Sequence, residues 1–191
     1  KLPFGLREGA KNLDIPIYED DQSVYDLIKC GNKAIQNVDL VISYLHNKKI
    51  RKPLFKLGSC GCINFHPAPL PDYKSSAGYN TAILEQKEDF GVSAHFIDSE
   101  EFDQGPIIQV NRFPIDQKTE TALSLEKQAQ KELFRLFKEV MLKFLKGEPL
   151  ATQTNFGGLY LTKSQLEKLK MINLETDSPE DIERKIRAFF F

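Results

Sequence analysis

Short apolar runs alternate with polar, helix-like stretches along the first half of this chain. Residues 39–45 and 61–66 are compact apolar runs of the kind that forms strands buried on both faces of a parallel sheet. Residues 15–18 are predicted to form an earlier strand, and helices are predicted over residues 24–35 and 48–55. This order of strands and helices predicts an α/β fold with a doubly wound, mostly parallel sheet.

The second half of the chain carries two more predicted strands and one long helix. Residues 91–98 and 106–115 have strand character and are predicted neighbours, after a helix at residues 79–86. Between residues 119 and 145, apolar side chains recur every three or four positions, which is the period of an amphipathic helix. The apolar side of this helix consists of Leu125, Ala129, Leu133, Leu136, Val140 and Phe144.

A change of character after the long helix divides the chain into a core and a short C-terminal extension. We expect residues 1–150 to form the core and residues 151–191 the extension, which is too short to fold alone. Helices are predicted over residues 164–170 and from Ser178, where a capping box precedes a proline in the first turn. Because residues 1–9 contain no strand-like run, the core is expected to lack its first strand and helix.

Composition and charge narrow the classes of function. The hydrophobic fraction is 41% and the charged fraction 28%, and no apolar run approaches the roughly 18 residues that span a bilayer. Since no secretory signal is visible, we expect a soluble, cytoplasmic protein with no membrane partner. The 26 basic and 27 acidic residues give a formal net charge of -1, which disfavours a nucleic-acid partner.

The three cysteines are expected to be reduced thiols. Cys60 and Cys62 are too close in sequence for a comfortable disulfide, and no second pair of ligands stands at the spacing of a zinc site. We therefore predict no metal site.

The densest candidate chemistry lies in residues 64–74, directly after a predicted strand. Alternation along an extended strand sends Asn64 and His66 to the same face, so an amide and an imidazole address one space. Ligand crevices of open parallel sheets lie beyond the carboxyl ends of the strands, where these residues stand. Three prolines in the next five residues stiffen the loop, although an ordinary surface loop is an equal alternative.

An acidic loop at residues 98–105 supplies a partner for the histidine. Asp103 would approach His66 if both strands end on the same edge, and a neighbouring carboxylate orients an imidazole and stabilises its charged form. Taken alone, Asp103 is more often a turn residue. His46 and His95 are expected to be core or loop residues without a catalytic role.

Three segments together resemble one known family. They are Asn64-Phe-His66-Pro with Leu70-Pro71, Gly91-Val-Ser-Ala-His95, and Asp103-Gln-Gly105-Pro-Ile-Ile108. This combination is similar to the signature of the formyltransferases that act on glycinamide ribonucleotide, methionyl-tRNA and nucleotide sugars. The resemblance implies a Rossmann-like core, N10-formyltetrahydrofolate as the formyl donor, and Asn64, His66 and Asp103 as the catalytic residues.

The resemblance also implies where the folate carrier binds. In the family, the folate pocket is bordered by the loop after the strand at residues 40–45 and by the acidic loop that ends at the catalytic Asp. The matching positions in this sequence are His46, Asn47, Lys48, Ser99, Glu100, Glu101 and Phe102. We expect the Asn64 amide and His66 to face the oxyanion that forms during transfer, while Asp103 orients His66 and helps to remove the amine proton.

The acceptor is less well defined by the resemblance. Many members follow the Leu-Pro with a Tyr-Arg-Gly turn that faces the acceptor, whereas this chain reads Asp72-Tyr-Lys-Ser. The balanced charge and short extension favour a small amine, namely the amino group of a nucleotide-linked sugar, over methionyl-tRNA. A formyltetrahydrofolate deformylase, a folate-binding module without catalysis, and a doubly wound domain of unrelated function stay open, as does a homodimer.

Overall fold

A computed structural model describes residues 4–75 and 77–190 and contains one four-stranded sheet with helices packed around it. In chain order the elements are α1 (Phe4–Asn12), α2 (Asp21–Lys29), a 3-10 turn (Lys33–Ile35), β1 (Val41–Tyr44), β2 (Cys62–His66), β3 (Tyr73–Lys74), α3 (Gly78–Leu84), β4 (Asp89–Phe96), β5 (Ile107–Pro114), α4 (Ala122–Leu145), β6 (Leu159–Tyr160), α5 (Lys163–Lys170) and α6 (Pro179–Phe189). The predicted α/β class with a central sheet is confirmed.

The strand directions require one correction. The sheet order is β1-β2-β4-β5, and among these described strands only β1 and β2 pair in parallel, while β4 is antiparallel to both of its neighbours. The prediction of a mostly parallel sheet therefore overstated the parallel pairing. The reason is that the chain stays near the carboxyl end of β2: the N–H of Leu70 bonds to Ser93 Oγ at 2.7 Å, and Tyr73 stacks on Phe90. From there β4 runs back along β2.

Two of the predicted local elements are wrong. Residues 15–18 are extended but pair with no described strand, and Ile15 and Tyr18 are exposed, so no apolar burial supports a strand there. Residues 48–55 form turns instead of a helix, with the N–H of Leu54 bonded to the carbonyl of Arg51. The helix predicted over residues 24–35 is divided into α2 and the 3-10 turn at Gly31, whose φ is +63°.

The long helix α4 covers one face of the sheet. Thr121 caps it in a reciprocal box with Ser124, and its buried stripe is the predicted one apart from Phe144, which is only partly buried. The stripe packs against sheet residues that share one face, among them Ile63, Phe65, Phe90, Val92 and Ala94. Alternation therefore turns the intervening residues of β2 and β4 to the opposite face, away from α4.

The C-terminal residues are tied to the remainder of the chain. β6 pairs in parallel with β3, the Asn80 amide donates to the carbonyl of Ala188 at 2.5 Å, and Arg187 Nη1 donates to the carbonyl of Glu120 at 2.8 Å. Within residues 4–75 and 77–190, no helix is long and apolar enough to cross a membrane.

Candidate active site

The strands β2 and β4 bring four polar side chains to one face of the sheet. Asn64 lies directly opposite His95 in the ladder, and His66 lies opposite Ser93. Because all four residues alternate with core residues, they share the face away from α4. The prediction that Asn64 and His66 face the same space is therefore met, and His95 joins them.

Asp103 is the centre of this cluster. Its Oδ1 lies 3.3 Å from Asn64 Nδ2, 3.4 Å from His95 Nε2 and 3.5 Å from His66 Nδ1. Its Oδ2 accepts the backbone N–H of Ser75 at 3.0 Å. The Asp103 side chain is only 9% exposed, so the carboxylate takes nearly all its partners from the protein.

The remaining nitrogens of the cluster have defined partners as well. His95 Nδ1 lies 2.9 Å from the carbonyl of Phe96 and so carries the proton, which leaves Nε2 to accept from Asn64 Nδ2 at 3.0 Å. His66 Nε2 donates to the carbonyl of Tyr73 at 3.0 Å. Asn64 is less buried than His66 and His95, so it is the donor that a bound ligand reaches most easily.

The electrostatics of the cluster favour an ionised carboxylate beside a neutral imidazole. Burial opposes ionisation of Asp103, but the neighbouring His95 side chain, the charge that His66 carries when protonated and the Ser75 N–H together hold its pKa well below the usual range. Burial lowers the pKa of His66, although the charge of Asp103 acts in the opposite direction. At neutral pH the site therefore holds a carboxylate and a neutral His66.

Asp103 reaches His66 by a route other than the predicted one. The two strands do not end on the same edge, because β4 is antiparallel to β2; instead, the loop after β4 folds back across the sheet. Gly105 permits this return, since a Cβ at that position would lie 1.8 Å from the carbonyl oxygen of Phe96.

His95 is the site residue that sequence reasoning missed. The sequence predicts a core or loop residue at this position, and His95 is indeed buried, at 2% exposure, yet both of its ring nitrogens make polar contacts. The alternation of residues 91–98 contained the signal, since it puts His95 and Ser93 on one face. Only the pairing of β4 with β2 identifies that face as the one bearing Asn64.

The two predicted folate-binding loops lie next to each other. The backbone N–H of Lys52 bonds to Glu100 Oε1 at 3.3 Å, and Lys49 Nζ stands 5.7 Å from the centre of the Phe102 ring. His46 Nε2 and Lys48 Nζ instead each lie 3.5 Å from Oδ2 of Asp21 in α2. Ser99 Oγ accepts the N–H of Glu101, and Asn47 is exposed.

A cavity of about 490 Å³ opens at the amino end of β2. Its lining includes Phe55, Cys62, Phe96, Ile97 and Asp98, and none of the seven predicted folate-binding residues. Cys62 stands two positions before Asn64 on the same strand face, and burial raises the pKa of its thiol to about 12, so it is a neutral wall. The cavity thus reaches the start of the acidic loop at Asp98, but none of Asn64, His66, His95 and Asp103 lines it.

The chain belongs to the formyl transferase family, whose family model matches residues 22–141. The methionyl-tRNA formyltransferase of Kosmotoga olearia is 28% identical over 98% of this chain and 59% of its own length. The GDP-perosamine N-formyltransferase of Brucella melitensis is 32% identical over 80% of this chain and 57% of its own length. The chain therefore spans somewhat more than half the length of these curated relatives.

A solved structure gives the same result for the fold. The N-formyltransferase from Helicobacter canadensis, in complex with folinic acid and dTDP-3-aminofucose, superposes with a TM-score of 0.65 at 26% identity. The match covers 78% of this chain and 54% of that one. The family predicted from the three sequence segments is confirmed.

Proposed function

We propose that this chain transfers a formyl group from N10-formyltetrahydrofolate to a primary amine. The observation that carries the proposal is the buried Asp103 carboxylate, held among Asn64, His66 and His95 in a member of the formyl transferase family. Such a cluster can stabilise a negative oxygen and relay a proton in one small space.

The reaction requires one bond to form and one to break. The amine nitrogen attacks the formyl carbon, the carbonyl oxygen becomes negative, and the bond from carbon to N10 then breaks. The amine loses one proton and N10 gains one, so no oxidant or metal is required. Stabilisation of the negative oxygen is usually the largest single contribution to catalysis of this kind.

We assign the roles as follows. Asn64 turns one amide N–H from its present partner to the negative oxygen, and His66 can donate to that oxygen only when its Nδ1 takes a proton, because its Nε2–H is bonded to Tyr73. Asp103 orients His66 and accepts the amine proton, directly or through water. Because its pKa is held low, Asp103 is a weak base, suited to the acidic ammonium of the tetrahedral intermediate.

The folate carrier is proposed to occupy the 490 Å³ cavity and to extend along the two adjoining loops. Phe55, Phe96 and Ile97 offer apolar surface for a flat ring, and Asp98 offers a carboxylate for ring N–H groups. Lys49 and Lys52, in the loop that contacts Glu100 and Phe102, are the proposed partners of a negatively charged tail. The seven predicted residues would then form its border.

The acceptor is proposed to be the amino group of a nucleotide-linked sugar. The Brucella relative is named for such an acceptor, and the Helicobacter structure holds an amino sugar nucleotide together with folinic acid. The net charge of -1 also argues against a large nucleic acid. Methionyl-tRNA is the second candidate, because the Kosmotoga relative matches 98% of this chain.

The deciding experiment follows the absorbance of N10-formyltetrahydrofolate with water alone, with a panel of nucleotide-linked amino sugars, and with methionyl-tRNA. Turnover that depends on one sugar supports the proposal and identifies the acceptor. Turnover with methionyl-tRNA and with no sugar would make methionyl-tRNA the acceptor. Turnover with water alone that equals the turnover with amines would make the protein a deformylase. Folate binding without any turnover refutes the catalytic assignment.

The role of Asn64 is tested with Asn64→Ala. Removal of one oxyanion donor typically costs about 100- to 1,000-fold in kcat, and we expect a loss of that size in a folded protein. Asn111→Ala is the matched control, because Asn111 is a partly buried asparagine on β5 that bonds to Glu139, not to the cluster. An unchanged kcat in Asn64→Ala would refute its role.

A further inference from the structure

A segment beyond the region that the family model matches lies directly against the candidate site. We call residues 151–161 the strap. Gln153 forms a bridge with Ile107, the N–H of Leu159 bonds to the carbonyl of Asp72 at 2.7 Å, and Ser75 Oγ donates to the carbonyl of Leu161. The strap thus connects the loop before β5 to the loop that follows His66.

Within the strap, Asn155 makes two hydrogen bonds to a single turn. Its Nδ2 donates to the carbonyl of Asp103 at 2.9 Å and to the carbonyl of Gly105 at 2.8 Å. Both hydrogens of the amide are therefore used to hold the carbonyl groups of the two residues on either side of Gln104. The Asn155 Oδ1 is buried and has no partner among the described residues, a costly arrangement that serves no purpose unless the two donors are needed.

The turn that Asn155 holds would not be stable on local interactions alone. Asp103 has a φ of +52°, in the left-handed region that side-chain-bearing residues rarely adopt. Gly105 is pressed against the carbonyl of Phe96, and Lys74 Nζ donates to Gln104 Oε1 at 2.9 Å from the other side. A backbone strained in this way needs support from its surroundings, and Asn155 supplies it at both ends of the turn.

We propose that Asn155 is a positioning residue that fixes the Asp103 carboxylate, so that the strap is a structural part of the active site. This inference rests on the proposed formyl transfer for its kinetic consequences. Asn155 touches neither Asn64 nor His66; it acts through the backbone of Asp103. A displacement of about 1 Å at such a group can cost on the order of 100-fold in rate.

The test compares Asn155→Ala and Asn155→Asp with the wild-type protein. Asn155→Ala is expected to lower kcat about 10- to 100-fold while KM for the folate carrier changes less than about threefold, because Asn155 itself does not line the cavity. Asn155→Asp keeps the shape but faces two carbonyl oxygens with a carboxylate, so its activity should be lower still near pH 8. Its activity relative to wild type should rise toward pH 5.5, because burial against two carbonyl oxygens raises the pKa of the new carboxyl and its protonated form donates one bond.

The matched control is Asn80→Ala, which removes a comparable amide-to-carbonyl bond, to Ala188, away from the cluster. It should keep the wild-type kcat at a similar loss of thermal stability. Three outcomes would each overturn the proposal. The first is a wild-type kcat in Asn155→Ala, and the second is an equal loss of kcat in Asn155→Ala and Asn80→Ala. The third is an Asn155→Asp activity, relative to wild type, that does not depend on pH. If Asn155→Ala does not fold, Asn155→Ser, with one donor left, takes its place.

A second measurement separates this proposal from the proposed reaction. Hydrogen exchange in a peptide covering residues 99–106 should become faster in Asn155→Ala and stay unchanged in Asn80→Ala, whatever the substrate. If wild type turns over no amine but exchange responds as expected, the reaction is wrong and the positioning role stands. If wild type is active and neither kcat nor exchange responds, the positioning role fails alone.

Discussion

Asp103 combines burial, an ionised carboxyl and a left-handed backbone in one residue. Desolvation of a carboxylate is costly, and the structure offsets that cost with hydrogen bonds from Asn64 and the Ser75 backbone and with two neighbouring imidazoles. Removing a neighbour would leave a buried charge with too few partners. At this scale the same contacts therefore serve the stability of the loop and the chemistry of the site.

His66 should make the stability of the protein depend on pH. Burial lowers its pKa below the ordinary value of 6.5, so the unfolded chain takes up the proton first as the pH falls. The free energy of unfolding should therefore be highest above about pH 6.5 and decrease below that pH. The pKa of Asp103 is also lowered, but its contribution to the free energy of unfolding is lost only below 3.8, the ordinary pKa of an aspartate. Thermal unfolding of wild type and His66→Gln from pH 8 to pH 5 measures this. Equal slopes for both proteins would show that another group is responsible.

At the scale of elements, the strap and β3 form a small two-stranded unit that closes over the loop after His66. The parallel pairing of Tyr73 with Leu159 and of Lys74 with Tyr160 is short, so most of the specificity must come from close packing at its edge. Gly158 supplies this: its φ is +82°, and a Cβ there would lie 1.6 Å from the carbonyl oxygen of Pro71.

Two adjacent glycines allow this packing to be measured. Gly157 also has a positive φ, of +78°, but no atom of the described residues lies within 4 Å of the place a Cβ would take, so Gly157→Ala should cost only the backbone term, about 1 kcal/mol. Gly158→Ala adds a collision with the backbone, which should lower the free energy of unfolding by roughly a further 1–3 kcal/mol. Calorimetry should show a decrease in Tm at least twice as large for Gly158→Ala. Equal decreases would mean that the strap moves away from Pro71 without cost.

At the scale of the whole molecule, the division into a core of residues 1–150 and an extension of residues 151–191 stays a prediction. Contacts nevertheless cross that boundary, among them the strap against the Asp103 turn, Asn80 with Ala188, and Arg187 with the carbonyl of Glu120. Arg187 is buried and also pairs with Glu183 at 2.6 Å, so the helix α6 is not a free appendage.

These contacts predict a single cooperative unfolding transition. The chain contains no tryptophan, so Tyr160→Trp, at a half-exposed position in β6, provides a fluorescence probe of the strap alone. Its denaturant midpoint should coincide with the midpoint from far-ultraviolet circular dichroism, which reports the helices. A fluorescence transition at clearly lower denaturant would mean that the strap unfolds independently and that the Asp103 turn keeps its shape without it.

The amino-acid sequence by itself determined the long helix α4, the strands β2, β4 and β5, the family, and Asn64, His66 and Asp103 as candidate chemistry. Those features depend on the hydrophobic period and on residue types at short spacings, and both can be recognised in the sequence without the structure. Only the tertiary structure decided the direction of β4, the place of His95 in the cluster and the support of Asp103 by Asn155. These contacts join residues 31 and 52 positions apart, and such pairings depend on how the chain returns on itself, which no local pattern encodes.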